Sequence, residues 1–476
     1  MIDKKDFFEL APKIMTWIDQ YFKELTSFPV KSKVQPKTIY NQLPIAPPDQ
    51  SESLDEILKD LDNIIVPGIT HWQHPNFHAY FPANSSVESL FAEFITAAIG
   101  AQCMIWDTSP AAAELEERVL NWLRDEMKLP NYFEGVIQDT ASTATLSAIV
   151  CAREVATNFD SNENGVPPNL RVYCSNQTHS SIEKAVKVAG IGRKNVVKIE
   201  VDEQFALIPS ELELKIKQDI DDGYKPCCVI ATIGTTSTVA VDPLKEIGEL
   251  CQRYKIWLHV DAAYLGTALL LEEFQWMNEG IEMADSFVFN PHKWLFTNFD
   301  CTAYYVKDVN ILLKTFEVLP EYLKTKSRGQ VNDYRDWGIP LGRRFRALKL
   351  WFVIRSYGME GIRIRLRKHV ALNEYFASKI NSSPHFKLFM PPFATFTAFR
   401  LHPPGIEDKT QLNEMNQEFL DLLNSSGEMY LSHTKLQGHY IIRMIIAQTY
   451  VNKKDIDKVL VILTEQAKSF CAKLNL

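Results

Sequence analysis

The residues best placed to do chemistry are a lysine and an aspartate, each at the end of an apolar run. Phe287-Val288-Phe289 reads as a short buried strand. Asn290 and Pro291 break it, because proline cannot continue a central strand, and His292 and Lys293 follow directly. The apolar run beginning at Ile256 ends on Asp261, 32 residues before Lys293, with Ala262, Ala263 and Tyr264 behind it. A lone lysine in a turn is ordinarily a solvated surface group. A carboxylate that closes a buried strand is costly unless something cationic pairs with it.

Taken together, the two residues describe one site. The spacing accommodates one crossover and a return strand, which brings both groups to the C-terminal rim of an open α/β sheet, where ligands bind. A lysine there is a nucleophile toward carbonyls and forms a Schiff base with an aldehyde cofactor. The pyridinium nitrogen of pyridoxal 5'-phosphate is the cation that Asp261 would meet. Upstream, the strand Gly135–Gln138 runs through Asp139 into Thr140-Ala141-Ser142 and an apolar helix. Such a helix N-terminus presents free backbone N–H groups to an anion, although an ordinary N-cap cluster has the same look. His179 follows the strand Val172–Cys174, and Gly234-Thr235-Thr236 follows the strand Cys228–Ile233.

The elements that position these groups follow from the rest of the chain. Strands alternate with helices from about Gly135 to Tyr305, which predicts a mostly parallel sheet wrapped by helices. We expect helices over 88–100 and 111–127, a capping box from Ser53 to Glu56, and a long helix opened by Leu341–Arg346 and running through Ile354. Residues 4–25 show an apolar stripe (Phe7, Ala11, Ile14, Ile18, Phe22, Leu25) wide enough to need a partner surface, on this chain or on a second subunit. Segment 320–330 is polar and charged, and Tyr322 within it is either inert surface or a catalytic group on a lid. From about His369 onward a smaller α+β domain is expected. The organisation is thus 1–84 N-terminal helical segment, 85–365 large α/β domain and 366–476 small domain.

Composition narrows the function classes. With 476 residues, 46% of them apolar, the chain can build large cores. A net charge of −8 argues against nucleic acid or an anionic membrane as the partner. Eight scattered cysteines show no CxxC pair and read as reduced core thiols. His71, His74 and His78 are interrupted by Pro75 and lack the spacing of a helical metal pair, so no metal is expected. No apolar run approaches the roughly 18 residues of a membrane span, and no signal-peptide pattern follows the first charges, so a cytoplasmic protein is expected.

The motifs His71-Trp72-Gln73-His74-Pro75, Trp106 with Ser109-Pro110, Gln177–Ser181, His259–Tyr264, Asn290–Trp294 and Asp336–Phe345 together resemble the aromatic L-amino-acid decarboxylases, in the group II pyridoxal-phosphate-dependent decarboxylases. The resemblance covers nearly the whole chain. It implies the type I fold of these enzymes, with a mostly parallel seven-stranded sheet. It also implies an obligate homodimer with interface active sites and a swapped N-terminal helical segment. Matching motif positions would make Lys293 the cofactor lysine, Asp261 the partner of the ring nitrogen and His179 the ring that stacks on it. Thr140, Ala141, Ser142, Thr236, Ala263, Asn290 and His292 would complete the cofactor site. Trp72, Tyr80, Phe81, Pro82, Ala83, Met104, His179 and Gly342 would receive the substrate, and Tyr322 would deliver a proton to Cα. The expected substrates are tryptophan, 5-hydroxytryptophan, DOPA, tyrosine or phenylalanine. Three positions depart from common patterns: Asp139, where animal relatives commonly have glycine, Met104 in place of a pocket aromatic, and Ala83 in place of threonine. An aldehyde synthase of the same family, a transaminase of the same fold and a non-catalytic descendant are the rival readings. Tyr322 and His179 favour decarboxylation over aldehyde formation.

Overall fold

The structure is a computed structural model that describes residues 4–318 and 329–474. It divides into two compact units, one formed by residues 83–368 and the other by 1–82 with 369–476.

The larger unit is built on a seven-stranded sheet. Its strands are β1 (Glu134–Gln138), β2 (Leu170–Ser175), β3 (Val196–Ile199), β4 (Lys225–Thr232), β5 (Trp257–Asp261), β6 (Ser286–Phe289) and β7 (Thr302–Val306). They lie in the order β1-β7-β6-β5-β4-β2-β3. Only β7 runs antiparallel, to both β1 and β6. The remaining pairs are parallel, as expected of strands joined by helical crossovers. Burial on both faces explains their near-continuous apolar sequences: Val172, Tyr173, Cys174, Val229, Ile230, Leu258, Val260 and Phe287 are all shielded from solvent. The ends of β1, β2, β4, β5 and β6 therefore share one rim. Register fixes them there, with Thr232 opposite Asp261 and Asp261 opposite Val288.

Helices Val87–Ile99 and Pro110–Glu126 match the expectation to within a residue, and Pro110 occupies the first turn of the second. The long helix departs from it. It begins at Arg346, not Leu341, and continues to Asn381 with a non-helical residue at Gly358 (φ 63°, ψ 160°). Residues 341–345 stay outside the helix, and other groups take the backbone bonds of Arg343. Arg343 N–H donates to Gln102 Oε1 (2.8 Å), and the Arg343 carbonyl accepts from Cys103 N–H (3.1 Å).

The other unit holds a four-stranded antiparallel sheet of β8 (Phe386–Leu388), β9 (Phe396–Leu401), β10 (Ser432–Leu436) and β11 (His439–Ile445), in the order β10-β11-β9-β8. Phe376, Phe399, Phe419, Ile442, Met444 and Ile456 form the core on which helices Lys409–Ser426 and Lys453–Lys473 pack. The N-terminal helix Lys4–Glu24 rests partly on its own chain, through Lys13–Asp55 (2.6 Å), Trp17–Asp62 (2.7 Å) and Tyr21–His71 (2.8 Å). Phe7, Phe8, Leu10, Met15 and Phe22 on it remain exposed. The Ser53–Glu56 capping box is present.

Candidate active site

Asp261 and Lys293 reach the rim of the larger unit through a ladder of backbone bonds. Ala263 N–H donates to Asp261 Oδ1 (3.1 Å). Asn290 N–H donates to the Ala263 carbonyl (3.0 Å), and Lys293 N–H to the Asn290 carbonyl (2.9 Å). Pro291 opens the short turn of helix Pro291–Trp294 that carries Lys293. Asp261 is buried and, among the described residues, a single backbone donor serves it. A carboxylate accepts several bonds, so this one has capacity for a further, cationic partner. Burial lowers the pKa of Lys293 and the nearby Asp261 charge opposes that shift. A lysine with lowered pKa spends more time as the neutral, nucleophilic amine.

Three histidines lie around the pair, and burial lowers the pKa of each. His179 follows β2, and its Nδ1 accepts from Ser181 N–H (3.2 Å) with Ser181 Oγ at 2.8 Å, which leaves the ring proton on Nε2. Burial, then the charge of Lys293, lower its pKa, with Asp261 acting the other way. His292 Nδ1 accepts from Cys301 N–H (3.0 Å), and burial drives its pKa down to about 3. His259 shares a face of β5 with Asp261, two residues on. Its Nδ1 lies 2.9 Å from Ser286 Oγ and its Nε2 lies 3.2 Å from Thr145 Oγ1. Trp257 Nε1 also donates to Ser286 Oγ (3.0 Å). Burial brings the His259 pKa down to about 4.

The anion-binding turn lies at the same rim. Thr140 caps helix Ala141–Ala156, with Oγ1 accepting from Thr143 N–H (3.4 Å). Among the described residues nothing accepts from the N–H groups of Ala141 and Ser142, which sit at the helix terminus. Thr302 at the start of β7 joins this turn to the lysine loop: its Oγ1 donates to the Asp139 carbonyl (3.1 Å) and lies 2.8 Å from Asn290 Oδ1. Thr236 stands in the turn after β4, where Thr235 and Thr238 bond each other (2.9 Å). Gly234 begins that turn at φ +89°, and a Cβ on it would lie 2.7 Å from Leu265 Cγ.

The residues proposed for substrate separate into groups. Ala83 adjoins Asn84, whose N–H donates to the His292 carbonyl (3.0 Å). Met104 and Gly342 lie on neighbouring segments: the Met104 carbonyl accepts from Arg335 N–H (2.9 Å), and Gly342 faces Gln102. Gly342 also lines a cavity of about 80 Å³ with Gln138, Asp139 and Arg346. Trp72, Tyr80, Phe81 and Pro82 belong to the other unit. There Trp72 stacks on Tyr80 (5.9 Å), Tyr80 Oη meets Tyr430 Oη (3.0 Å), and Arg443 lies over the Phe81 ring (5.5 Å). His71, His74 and His78 each have separate partners in Tyr21, Asn76 and Ile445. Tyr322 lies outside the described residues. Thr302 and the His259–Ser286–Thr145 chain escaped the sequence reading; the alternation of His259 with Asp261 was the available signal for the second.

A parallel-sheet rim that pairs a buried carboxylate with a strand-end lysine, next to a free helix N-terminus, defines a pyridoxal-phosphate enzyme, and these residues fit that cofactor. Residues 36–402 match the pyridoxal-dependent decarboxylase conserved domain. The chain is 40% identical to phenylacetaldehyde synthase of Arabidopsis thaliana, over 98% of this chain and 96% of that one. It is also 40% identical to tyrosine decarboxylase 2 of Narcissus pseudonarcissus, over 98% and 95%. The crystal structure of Oryza sativa TDC with PLP and tryptamine superposes with a TM-score of 0.95 at 33% identity, covering 98% of this chain and 99% of that one. This protein therefore belongs to the pyridoxal-dependent decarboxylase family. It is a carboxy-lyase that uses pyridoxal phosphate.

Proposed function

We propose that this protein decarboxylates an aromatic L-amino acid to the corresponding arylalkylamine and CO₂. The observation that carries the reading is the Asp261–Lys293 rim, in a chain alike over its whole length to relatives named for tyrosine and for tryptophan. When bound, pyridoxal phosphate supplies the electron sink for the bond between Cα and the carboxylate. In this reading Lys293 Nζ would hold the cofactor by its aldehyde group. Asp261 would keep the ring nitrogen protonated, His179 would cover the ring, and His292 would flank Lys293. Ala141 and Ser142 N–H groups, with Thr140, Thr236, Ala263 and Asn290, hold the rest of the cofactor. Trp72, Tyr80, Phe81, Pro82, Ala83, Met104 and Gly342 receive the aromatic side chain. Tyr322 gives its phenolic proton to Cα in a site closed to water.

The functional unit in this reading is a cytoplasmic homodimer. Exposed apolar side chains support the dimer: Phe7, Phe8 and Phe22 on the N-terminal helix, and Phe91, Phe94 and Ile99 on helix Val87–Ile99. Eight buried cysteines, all free thiols, support a reducing compartment. Among the described residues no helix is long and apolar enough to cross a membrane.

The test is a panel of aromatic and acidic L-amino acids, with amine, aldehyde and oxygen consumption measured together. An aromatic amine as the main product is the expected result, and an acidic amino acid as the best substrate would overturn it. The phenylacetaldehyde synthase relative favours a second reading, in which oxygen is consumed and aldehyde, ammonia and peroxide replace the amine. The same assay separates the two.

A further inference from the structure

We propose that Asp139 is a resident negative charge at the phosphate turn, and that it loosens this protein's hold on the phosphate of its cofactor so that the cofactor exchanges readily. The inference rests on the assignment of Thr140, Ala141 and Ser142 as phosphate holders.

Asp139 stands between the last residue of β1 and the cap of helix Ala141–Ala156. Its Oδ1 accepts from Thr140 N–H at 2.7 Å. One donor of the turn is thereby spent on a carboxylate, and the Ala141 and Ser142 N–H groups are what remain. The Asp139 carbonyl accepts from Thr302 Oγ1 (3.1 Å), which holds the backbone of the turn, and the bond from Thr140 N–H holds the carboxylate against it. The carboxylate and a bound phosphate then share one helix terminus as like charges. Arg346 lines the same cavity, and its charge acts on Asp139 from a distance. Its hydrogen bonds go to Asp300, with Nε and Nη2 on the two carboxylate oxygens at 3.0 and 3.1 Å, so it offsets the Asp139 charge only in part. Among the described residues Asp139 has no ion-pair partner. Two like charges that share one helix terminus, in partly screened surroundings, oppose each other by an amount on the order of a tenfold change in affinity.

Asp139→Asn separates charge from geometry, since the amide oxygen still accepts from Thr140 N–H. The experiment titrates cofactor-stripped full-length protein with pyridoxal phosphate and, in parallel, with pyridoxal, which lacks the phosphate. Visible absorbance and the rise in unfolding temperature report binding. The expected result is a pyridoxal phosphate dissociation constant about tenfold lower than wild type, with pyridoxal affinity unchanged. Asp139→Gly, which also frees the Thr140 N–H, should tighten pyridoxal phosphate binding at least as much and covers the case of a poorly folding amide variant. Unchanged or weaker pyridoxal phosphate binding in both variants, or an equal shift for both ligands, overturns the proposal. Ser142→Glu tests the phosphate assignment itself. If it leaves pyridoxal phosphate affinity unaltered, the assignment fails; if it weakens binding while both Asp139 variants are neutral, only the role of Asp139 fails.

Discussion

Two asparagines buried at the four-stranded sheet and the aspartate buried at the rim of the seven-stranded sheet meet their surroundings in different ways. Asn373 and Asn416 are fully engaged. Asn373 Nδ2 donates to the carbonyls of Ala394 (3.2 Å) and Phe396 (3.0 Å), while its Oδ1 accepts from Thr397 Oγ1 (2.8 Å). Asn416 accepts from Leu401 N–H (2.7 Å) and donates to the Leu401 and Leu412 carbonyls (2.8 Å each). At the rim of the seven-stranded sheet, Asp261 lies buried with one backbone donor, within the field of a lysine whose pKa burial has lowered. A satisfied buried network fixes a structure. A buried ionisable group with capacity to spare, at the rim of a parallel sheet, is instead a place for a ligand.

If that contrast is right, substitutions in the two regions fail differently. The largest effect is expected from Lys293→Ala: no measurable amine formation, with unfolding temperature and circular dichroism near wild type. Normal turnover would end the assignment. Asp261→Asn keeps the shape and removes the charge, and should lower kcat by about two to three orders of magnitude with little loss of fold. Tyr322→Phe should bind cofactor and substrate normally, lose most amine production and release aldehyde, ammonia and peroxide when oxygen is present; unchanged amine with no aldehyde would leave His179 as the proton donor.

Substitution in the other unit sharpens the comparison from the opposite side. Phe419, buried in the core of the four-stranded sheet, should cost about 3–5 kcal/mol of stability as alanine, while kcat per cofactor-loaded molecule stays close to wild type.

The smallest effect concerns acid, and both regions share it. Burial lowers the pKa of His78 and of His259 to about 4, whereas the unfolded chain binds these protons at about 6.5. Between those values the unfolded state carries more protons, so stability rises with pH and is lost as pH falls from about 6.5 toward about 4. Each histidine contributes up to about 1.4 kcal/mol per pH unit across that window. His259→Gln and His78→Gln should each flatten the slope of stability against pH, measured by denaturant unfolding, and an unaltered slope would contradict the buried neutral state.

How much of this was legible in the sequence depends on the range of each interaction. The rim positions of Asp261 and Lys293 were legible because apolar runs broken by Pro291 or closed by a charge are local signals. The capping box at Ser53 and Glu56 was legible for the same reason. The start of the long helix was not, because Gln102 and Cys103, more than two hundred residues away, take the backbone bonds of Arg343. Nor was the role of Thr302, which joins Asp139 to Asn290 across the sheet. The N-terminal stripe was visible, but a stripe does not name its partner surface.

The most direct test of the account is to locate the cofactor on the chain. Purified holoprotein would be reduced with borohydride, digested, and its peptides mapped by mass spectrometry for the added pyridoxyl group. The account predicts the group on Lys293, its absence in Lys293→Ala, and its loss when an aromatic amino acid is added before reduction. A pyridoxyl group on another lysine, or none on Lys293 in active protein, would contradict it.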